Sequence, residues 1–455
     1  MSTPLTFPQH LRAVLLLGLP LIGGHLAQFA IQLTDTLMMG WHSVEGLAAL
    51  VLGTSLWFVF WIMGSGFAWA VMPLVASAAA EGDATGLRRV ARMGMWLSVL
   101  FAAAVMPVLW WSGPVLLALG QDPELSAMAQ DYLRIAGPGL VPALLVMVLK
   151  SHLAALERTQ VVLWVTLGAA LANAVLNYAL IFGNWGAPAL GIRGAAIASV
   201  CTNALSLVGV AAYAMRVFPE QRLFARLWRP DWEVFTRVAR HGVPIGITSL
   251  AEVALFSASS IMMGWLGTVA LAAHGIALQI TAATFMLHMG LSNAATIRAG
   301  GAYGRGDAAE LVRGGLAAIT LSLAWALATV VLLLSIPGPL YAMFLAPDEP
   351  QRGAIIAMGV TLLAIAALFQ LVDGAQVMAL GLLRGVQDTA VPMVYAALSY
   401  WAVGMPAAYL MAFVLGWGGA GVWLGLCVGL ASAGILMMHR FWRRAVPRLS
   451  APRPA

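Results

Sequence analysis

Runs of 18 or more apolar residues recur along the whole of this 455-residue chain. About 20 such residues cross the core of a bilayer as a helix. Lipid offers no partners to backbone N–H and C=O groups, so a spanning segment must satisfy them within itself. Twelve spans are expected, at about 11–38, 46–79, 88–112, 125–156, 161–183, 190–216, 236–265, 269–299, 310–335, 352–383, 391–415 and 419–442. Several exceed the length needed to cross, so tilting or projection beyond the membrane is expected. Charged residues make up 9% of the chain, against about 25% in a soluble domain. The fold class is therefore an all-α polytopic membrane protein.

The pI near 9.7 does not point to nucleic acid, because the arginines sit in short loops between apolar runs. Twenty of them fall on one side of the spans, and only Arg134, Arg193 and Arg352 on the other. The positive-inside rule then places both termini in the cytoplasm of a cell (inner) membrane protein. The first span carries His25, Gln28, Gln32 and Asp35, which does not suit a removable signal peptide. Cys201 and Cys427 lie inside spans without metal-ligand neighbours and read as packing residues.

The chain is also duplicated. At a constant shift of 224, residues 18–49 agree with residues 242–273 at 12 of 32 positions, among them the shared Met-Met-Gly-Trp of 38–41 and 262–265. The match continues from Glu81-Gly82-Asp83-Ala84 to Arg305-Gly306-Asp307-Ala308. Each repeat holds six spans, an even number, so both face the same way and their symmetry axis lies along the membrane normal. Two six-helix lobes with a central cleft follow. Residues 1–216 form the N-terminal lobe, 217–235 a cytoplasmic linker, 236–445 the C-terminal lobe and 446–455 a cytoplasmic tail.

Of 18 acidic residues, three lie inside spans: Asp35, Glu252 and Asp373. A carboxylate there costs about 2.5–3.5 kcal/mol on insertion scales, so each is a functional-site candidate. His25, Gln28, Gln32 and Asp35 step by 3, 4 and 3 along one helical face. In the copy, Glu252 stands where the first half has Gln28, and Ser259 where it has Asp35. Gln370, Asp373 and Gln376 share one side of the tenth span, so Glu252 and Asp373 are expected to share a pocket in the second half. Two carboxylates in a low-dielectric cavity cannot both stay ionised without a counter-charge. Such a pair takes up Na⁺, a proton or a cationic ligand, and competition among them is a simple route to antiport. The plainer reading is a structural hydrogen bond or buried ion pair. Lys150, the only lysine and the only strongly basic residue well inside a span, neutralises at most one carboxylate. Asn173 and Asn177 on the fifth span, His274 and His288 on the eighth, and Gln370 are secondary candidates, explained equally by helix–helix hydrogen bonding. The 23 methionines and 17 tryptophans are expected mainly at lipid or in the core.

No P-loop is present, since Lys150-Ser151 lacks the preceding glycines. A gradient rather than ATP must then supply the work. The absence of HExxH, GxSxG and Cys/His clusters leaves an enzyme without support.

Several stretches together resemble the multidrug and toxic compound extrusion (MATE) transporters, in their NorM-like branch. They are LTDTLMMG with Asp35, LAEVALF with Glu252, LAAHGIAL with His274, NYALIFGNWGAPALGIRGAA with Asn177, and FQLVDGAQVMALGLLRGVQD with Asp373. The resemblance spans nearly the whole chain. It implies an exporter of cationic and amphipathic drugs, driven by entry of Na⁺ or H⁺ and using no other cofactor. It implies coupling-cation binding at Glu252 and Asp373, with Na⁺ as the metal, and a first-lobe substrate or proton site at Asp35, Gln28 and Gln32. Where some relatives carry a cation-associated Tyr four residues before the tenth-span Asp, this chain has Phe369, which leaves Na⁺ and H⁺ both open. The expected partners are small cationic molecules and the bilayer, with no nucleic acid and a monomeric state. The alternatives are a flippase for lipid-linked or amphipathic substrates, which calls for an Arg-rich cleft, and an ion channel.

Overall fold

The computed structural model describes residues 5–450. Among them, twelve helices are long and apolar enough to cross a membrane: α1 (Phe7–His42), α2 (Val44–Glu81), α3 (Ala84–Trp110), α4 (Pro123–Ala155), α5 (Thr159–Phe182), α6 (Ile192–Val217), α7 (Trp232–Trp265), α8 (Thr268–Arg305), α9 (Ala308–Ser335), α10 (Arg352–Gly385), α11 (Ala390–Val414) and α12 (Gly418–Ser450). The chain is thus a multi-pass membrane protein. Every expected span is a helix, and many run several residues further. The 36 residues of α1 make a rod of about 54 Å, against about 30 Å of hydrocarbon.

The duplication is visible in the helix boundaries. α2 and α8 begin and end at positions 224 apart. Each closes on a left-handed glycine, Gly82 (φ 75°) and Gly306 (φ 69°). An aspartate then caps the next helix. The Asp83 side chain accepts from Gly86 N–H, and Asp307 from Glu310 N–H. Short helices follow α3 and α9 at Ser112–Ala118 and Pro337–Ala342. The Gly-Asp pairs, legible in the sequence, are thus stop-and-restart signals.

The chain packs as two compact units, one of residues 23–246 and one of the residues up to Ile22 with Ile247 onward. The long polar connection at 217–235 is where the sequence points for a boundary. The packing instead divides inside α1 and α7, at positions again 224 apart. The reason is close helix contact at glycine. A Cβ on Gly66 of α2 would collide with Gly242 O of α7, and one on Gly290 of α8 would meet Ile22 N of α1 at 2.8 Å. Pro20 and Pro244 lie inside these two helices just before the crossing, where a missing N–H allows a bend. The 217–235 segment itself packs on α3. Arg89 forms an ion pair with Asp231, Arg92 donates to Ala225 O, and Trp96 Nε1 donates to Leu227 O at 2.6 Å.

Gly421, Gly425 and Gly429 of α12 seat against α11. Cβ atoms there would run into Ala412 N, Ala408 Cα and Gly404 Cα. Their four-residue spacing is a packing stripe. Gly416, Gly418 and Gly421 spell GxGxxG, but they fall at the α11–α12 turn, where Gly416 and Gly418 take positive φ. Both cysteines are free. Trp41 and Trp265, at equivalent helix ends, are 72% and 65% exposed, as interfacial anchors require.

Candidate functional site

Each unit holds an intramembrane carboxylate centre, and the two differ in kind. In the unit of residues 23–246, Asp35 of α1 meets two asparagines of α5. Asn177 Nδ2 donates to Asp35 Oδ1 at 2.5 Å and to Asn173 Oδ1 at 3.1 Å. The asparagines are one helical turn apart and fully buried, so α5 presents both to the same acid. Asp35, Gln28 and Gln32 line a cavity of about 420 Å³, within the range of small-molecule sites. One wall is aromatic. Trp57, Phe58 and Trp61 of α2 line it, with Trp57 and Trp61 stacked at 6.3 Å and Phe58 and Trp61 at 5.5 Å. Tyr132 and Met147 of α4 and Ser199 of α6 add to the lining. The sequence leads one to expect the tryptophans chiefly at lipid or in the core, and these two belong to the cavity instead. The four-residue spacing of Trp57 and Trp61 beside Thr54 and Ser55 is the signal that could have found them.

Lys150 lies in this same unit. Its Nζ donates to Thr166 Oγ1 at 2.8 Å, and it lines the cavity with Asp35.

In the other unit, Asp373 of α10 lies within electrostatic reach of Glu252 of α7. Asp373 is 2% exposed, and its Oδ1 is buried without a hydrogen-bond partner. Gln370 Oε1 and Gln376 Oε1, three residues to either side on α10, are buried and unpartnered as well. The three acceptors lie on one side of α10, and a buried acceptor without a donor is costly. The amide nitrogens of the two glutamines are used. Gln370 Nε2 donates to Thr284 Oγ1 at 2.6 Å, and Gln376 Nε2 to Tyr400 OH at 2.8 Å.

Two further neighbours of the acids are not evident in the sequence. Arg384, in the last turn of α10, acts on Glu252 electrostatically. The arginine distribution puts it at the loop end of its span, and its place in the last turn of α10 agrees with that. Arg384 lies eleven residues after Asp373, about three turns on, so it shares that helix face. Tyr400 of α11 is fully buried and lies within electrostatic reach of both acids and Arg384. It brings a phenol hydroxyl to a site where Phe369 has none. Phe369 instead packs edge-on against Phe256 at 6.0 Å and Trp423 at 5.5 Å.

The histidines are held in helix–helix networks. Trp423 Nε1 donates to His274 Nδ1 at 3.1 Å, so the ring proton sits on Nε2, facing Ser260 Oγ at 3.1 Å. His288 Nδ1 is 2.9 Å from Ser322 Oγ, and the ring lies against Gly374, next to Asp373. No group of three His, Cys, Asp or Glu side chains able to hold a metal occurs among the described residues. Any cation must draw on amide and hydroxyl oxygens as well.

The chain has clear relatives among known proteins. The MatE family model matches residues 20–179 and 244–410, one match in each repeat. A probable multidrug resistance protein NorM of Rhizobium meliloti is 46% identical over 440 residues, covering 96% of this chain and 94% of the relative. One of the same name from Pseudomonas putida is 36% identical over 439 residues, covering 95% and 94%. Among solved structures, the eukaryotic MATE transporter AtDTX14 superposes with a TM-score of 0.86 at 17% identity, covering 97% of this chain and 98% of that one. A MOP superfamily transporter from Pyrococcus furiosus does so with a TM-score of 0.86 at 19% identity, covering 99% and 100%.

Proposed function

The chain belongs to the MatE family, and on that premise we propose that it is a secondary multidrug antiporter with a divided site. Drug binds in the Asp35 cavity of one unit, and the coupling cation binds at Glu252 and Asp373 in the other. The observation that carries the division is the contrast between the two centres. One is a drug-sized cavity of about 420 Å³ with an aromatic wall. The other brings Asp373 Oδ1, Gln370 Oε1 and Gln376 Oε1, all buried acceptors without a hydrogen-bond donor, onto one side of α10. An aromatic wall with a carboxylate suits flat organic cations. The second cluster suits a single small ion. With Arg384 near Glu252, the pair carries one surplus negative charge when ionised, so one monovalent cation restores neutrality.

Binding of Na⁺ or H⁺ at that cluster and drug at the cavity alternates as the protein opens to either side of a cell inner membrane. Both termini and the 217–235 segment face the cytoplasm, following the arginine distribution. The chain acts as a monomer and needs no cofactor beyond the coupling ion. A flippase for an anionic lipid would need an arginine-rich lining, whereas the charged residues lining the cavity are Asp35 and Lys150.

Reconstitution in proteoliposomes tests this. Ethidium efflux is followed under an imposed Na⁺ gradient and under a pH gradient. Asp373→Asn and Glu252→Gln abolish gradient-driven efflux while dye binding to the purified protein persists. Asp35→Asn weakens dye binding itself. Full efflux by both second-unit variants would end the assignment.

A further inference from the structure

The first turns of α3 gather arginines that have too few acids to match them. Arg88, Arg89, Arg92 and Trp96 follow one another at helical spacing, which keeps them on one face. The 217–235 segment lies along that face. Arg92 donates through one nitrogen to Ala225 O at 3.0 Å and to Arg226 O at 3.1 Å, and Trp96 Nε1 donates to Leu227 O at 2.6 Å. Arg89 pairs with both Asp231 and Glu233. Arg88 and Arg92 belong to none of the ion pairs among the described residues. Arg88, Arg89 and Arg229 all lie within electrostatic reach of Arg92. Four guanidiniums thus share two carboxylates, and one of these, Glu233, has a side chain that is 86% exposed.

Topology alone does not account for this arrangement. A charge that orients a span serves equally well when solvated in a loop. Here Arg92 is 8% exposed, and the Nε atoms of Arg88 and Arg92 are buried without an acceptor. Unbalanced charge held out of water is costly unless a counter-ion meets it. The same segment also presents indole from pinned backbone. Leu227 O is held by Trp96, and Arg229 N–H by Arg226 O at 3.0 Å. Trp228 sits between those two tethers and is 78% exposed. Trp232, at the start of α7, is exposed as well and packs edge-on against Phe235 at 5.5 Å. Tryptophans at the ends of spans sit at headgroup level, where the phosphates of the bilayer lie.

We propose that the arginine cluster around Arg92, with the exposed tryptophans of the 217–235 segment, binds an anionic phospholipid. The lipid phosphate supplies the missing negative charge, and the indoles lie at the level of its glycerol backbone. Arg88 and Arg229, whose side chains are not engaged by either acid, are the residues left to receive the phosphate. A zwitterionic lipid brings its own cation and leaves the surplus charge as it was. A free phosphate matches the charge but gives Trp228 and Trp232 no role. A lipid so bound ties the segment to α3 alongside the Arg89–Asp231 pair.

The test measures binding of phosphatidylglycerol, and of phosphatidylcholine with the same acyl chains, to the full-length purified protein by native mass spectrometry. In the wild-type protein phosphatidylglycerol binds about ten-fold more tightly than phosphatidylcholine. The double variant Arg88→Gln, Arg229→Gln removes that preference, with Arg92 left in place to hold the segment. The double variant Arg443→Gln, Arg444→Gln, which removes as much charge from the end of α12, keeps it. Equal affinity for the two lipids in the wild-type protein overturns the proposal even if the first variant does not fold. A ratio within about two-fold of wild type in a folded first variant overturns it too. Equal loss in both double variants overturns the assignment to this cluster, since general surface charge then accounts for the preference. Inorganic phosphate is the competing arm. If it displaces phosphatidylglycerol at equal concentration, the cluster takes a free phosphate and the lipid assignment fails. As a second readout, phosphatidylglycerol slows protease cleavage between 218 and 231 in the wild-type protein and not in the first variant.

Discussion

Asn177 Nδ2 donates to Asp35 Oδ1 at 2.5 Å. A charge-assisted hydrogen bond of this kind contributes about 1.5–3 kcal/mol. Asn177→Ala therefore leaves Asp35 free to turn away from the cavity. Dye affinity should fall about ten-fold, as read by equilibrium binding, and an unchanged Kd would reduce Asn177 to packing. The same scale explains which residues are legible in the sequence. Asp35, Glu252 and Asp373 stand out because a carboxylate in an apolar run is expensive wherever it points. Tyr400, Trp57 and Trp61 do not, because a buried aromatic is unremarkable until its neighbours are known. Gln376 shares a helix side with Asp373 by spacing alone, but its bond to Tyr400 crosses between helices, to a residue 24 positions away in the chain.

Among the helices, the glycines separate into two kinds that the sequence does not distinguish. A Cβ on Gly66 would collide with the backbone of Gly242 and of Gly246, whereas one on Gly168 would find open space. Backbone cannot yield as a side-chain tip can, so Gly66→Ala should cost about 1–3 kcal/mol. Gly168→Ala should gain about 0.5–1 kcal/mol by restricting the unfolded chain and favouring helix. Thermal unfolding of the two variants in detergent checks the opposite signs. The 217–235 segment is pinned by a different means. The Arg89 side chain, by hydrogen bonding, holds the Asp231 carboxyl below its ordinary value of 3.8. A carboxylate whose pKa is depressed on folding stabilises the contact above its unfolded value and loses that stabilisation as pH falls through the folded one. Protease cleavage between 218 and 231 should therefore rise only below about pH 4. Asp231→Asn should be cleaved at neutral pH as readily as the wild type in acid. Cleavage that ignores both changes would show that Trp96 and Arg92 hold the segment without the ion pair.

For the whole molecule, topology and energetics can be tested together. With Cys201 and Cys427 replaced, a single cysteine introduced at exposed Trp228 should react with an impermeant maleimide only from the cytoplasmic side. Reaction from outside would reverse the orientation drawn from the arginines. In proteoliposomes, one ion gradient should drive efflux and the other should not, and loss of driving in Asp373→Asn locates the coupling. Twelve spans, the duplication and the family are all legible in the chain itself, because apolar runs and a fixed shift of 224 survive in one dimension. The place where the chain passes from one unit to the other is not. It lies inside α1 and α7, between residues 22 and 23 and between 246 and 247, where no polar connection marks it.

The sequence by itself determined that this chain is a duplicated twelve-helix membrane protein with three intramembrane acids. The cost of a charge in lipid and the length of a spanning helix act locally and leave their mark on composition. Only the tertiary structure decided what surrounds each acid. Asp35 received two asparagines, an aromatic wall and a lysine lining the same cavity, while Asp373 received Glu252, a tyrosine hydroxyl and unpartnered amide oxygens. Those neighbours come from helices far apart in the chain, and which faces meet is set by packing at glycines such as Gly66 and Gly290. Close backbone contact depends on three-dimensional fit, and a glycine in an apolar run does not announce whether it provides one.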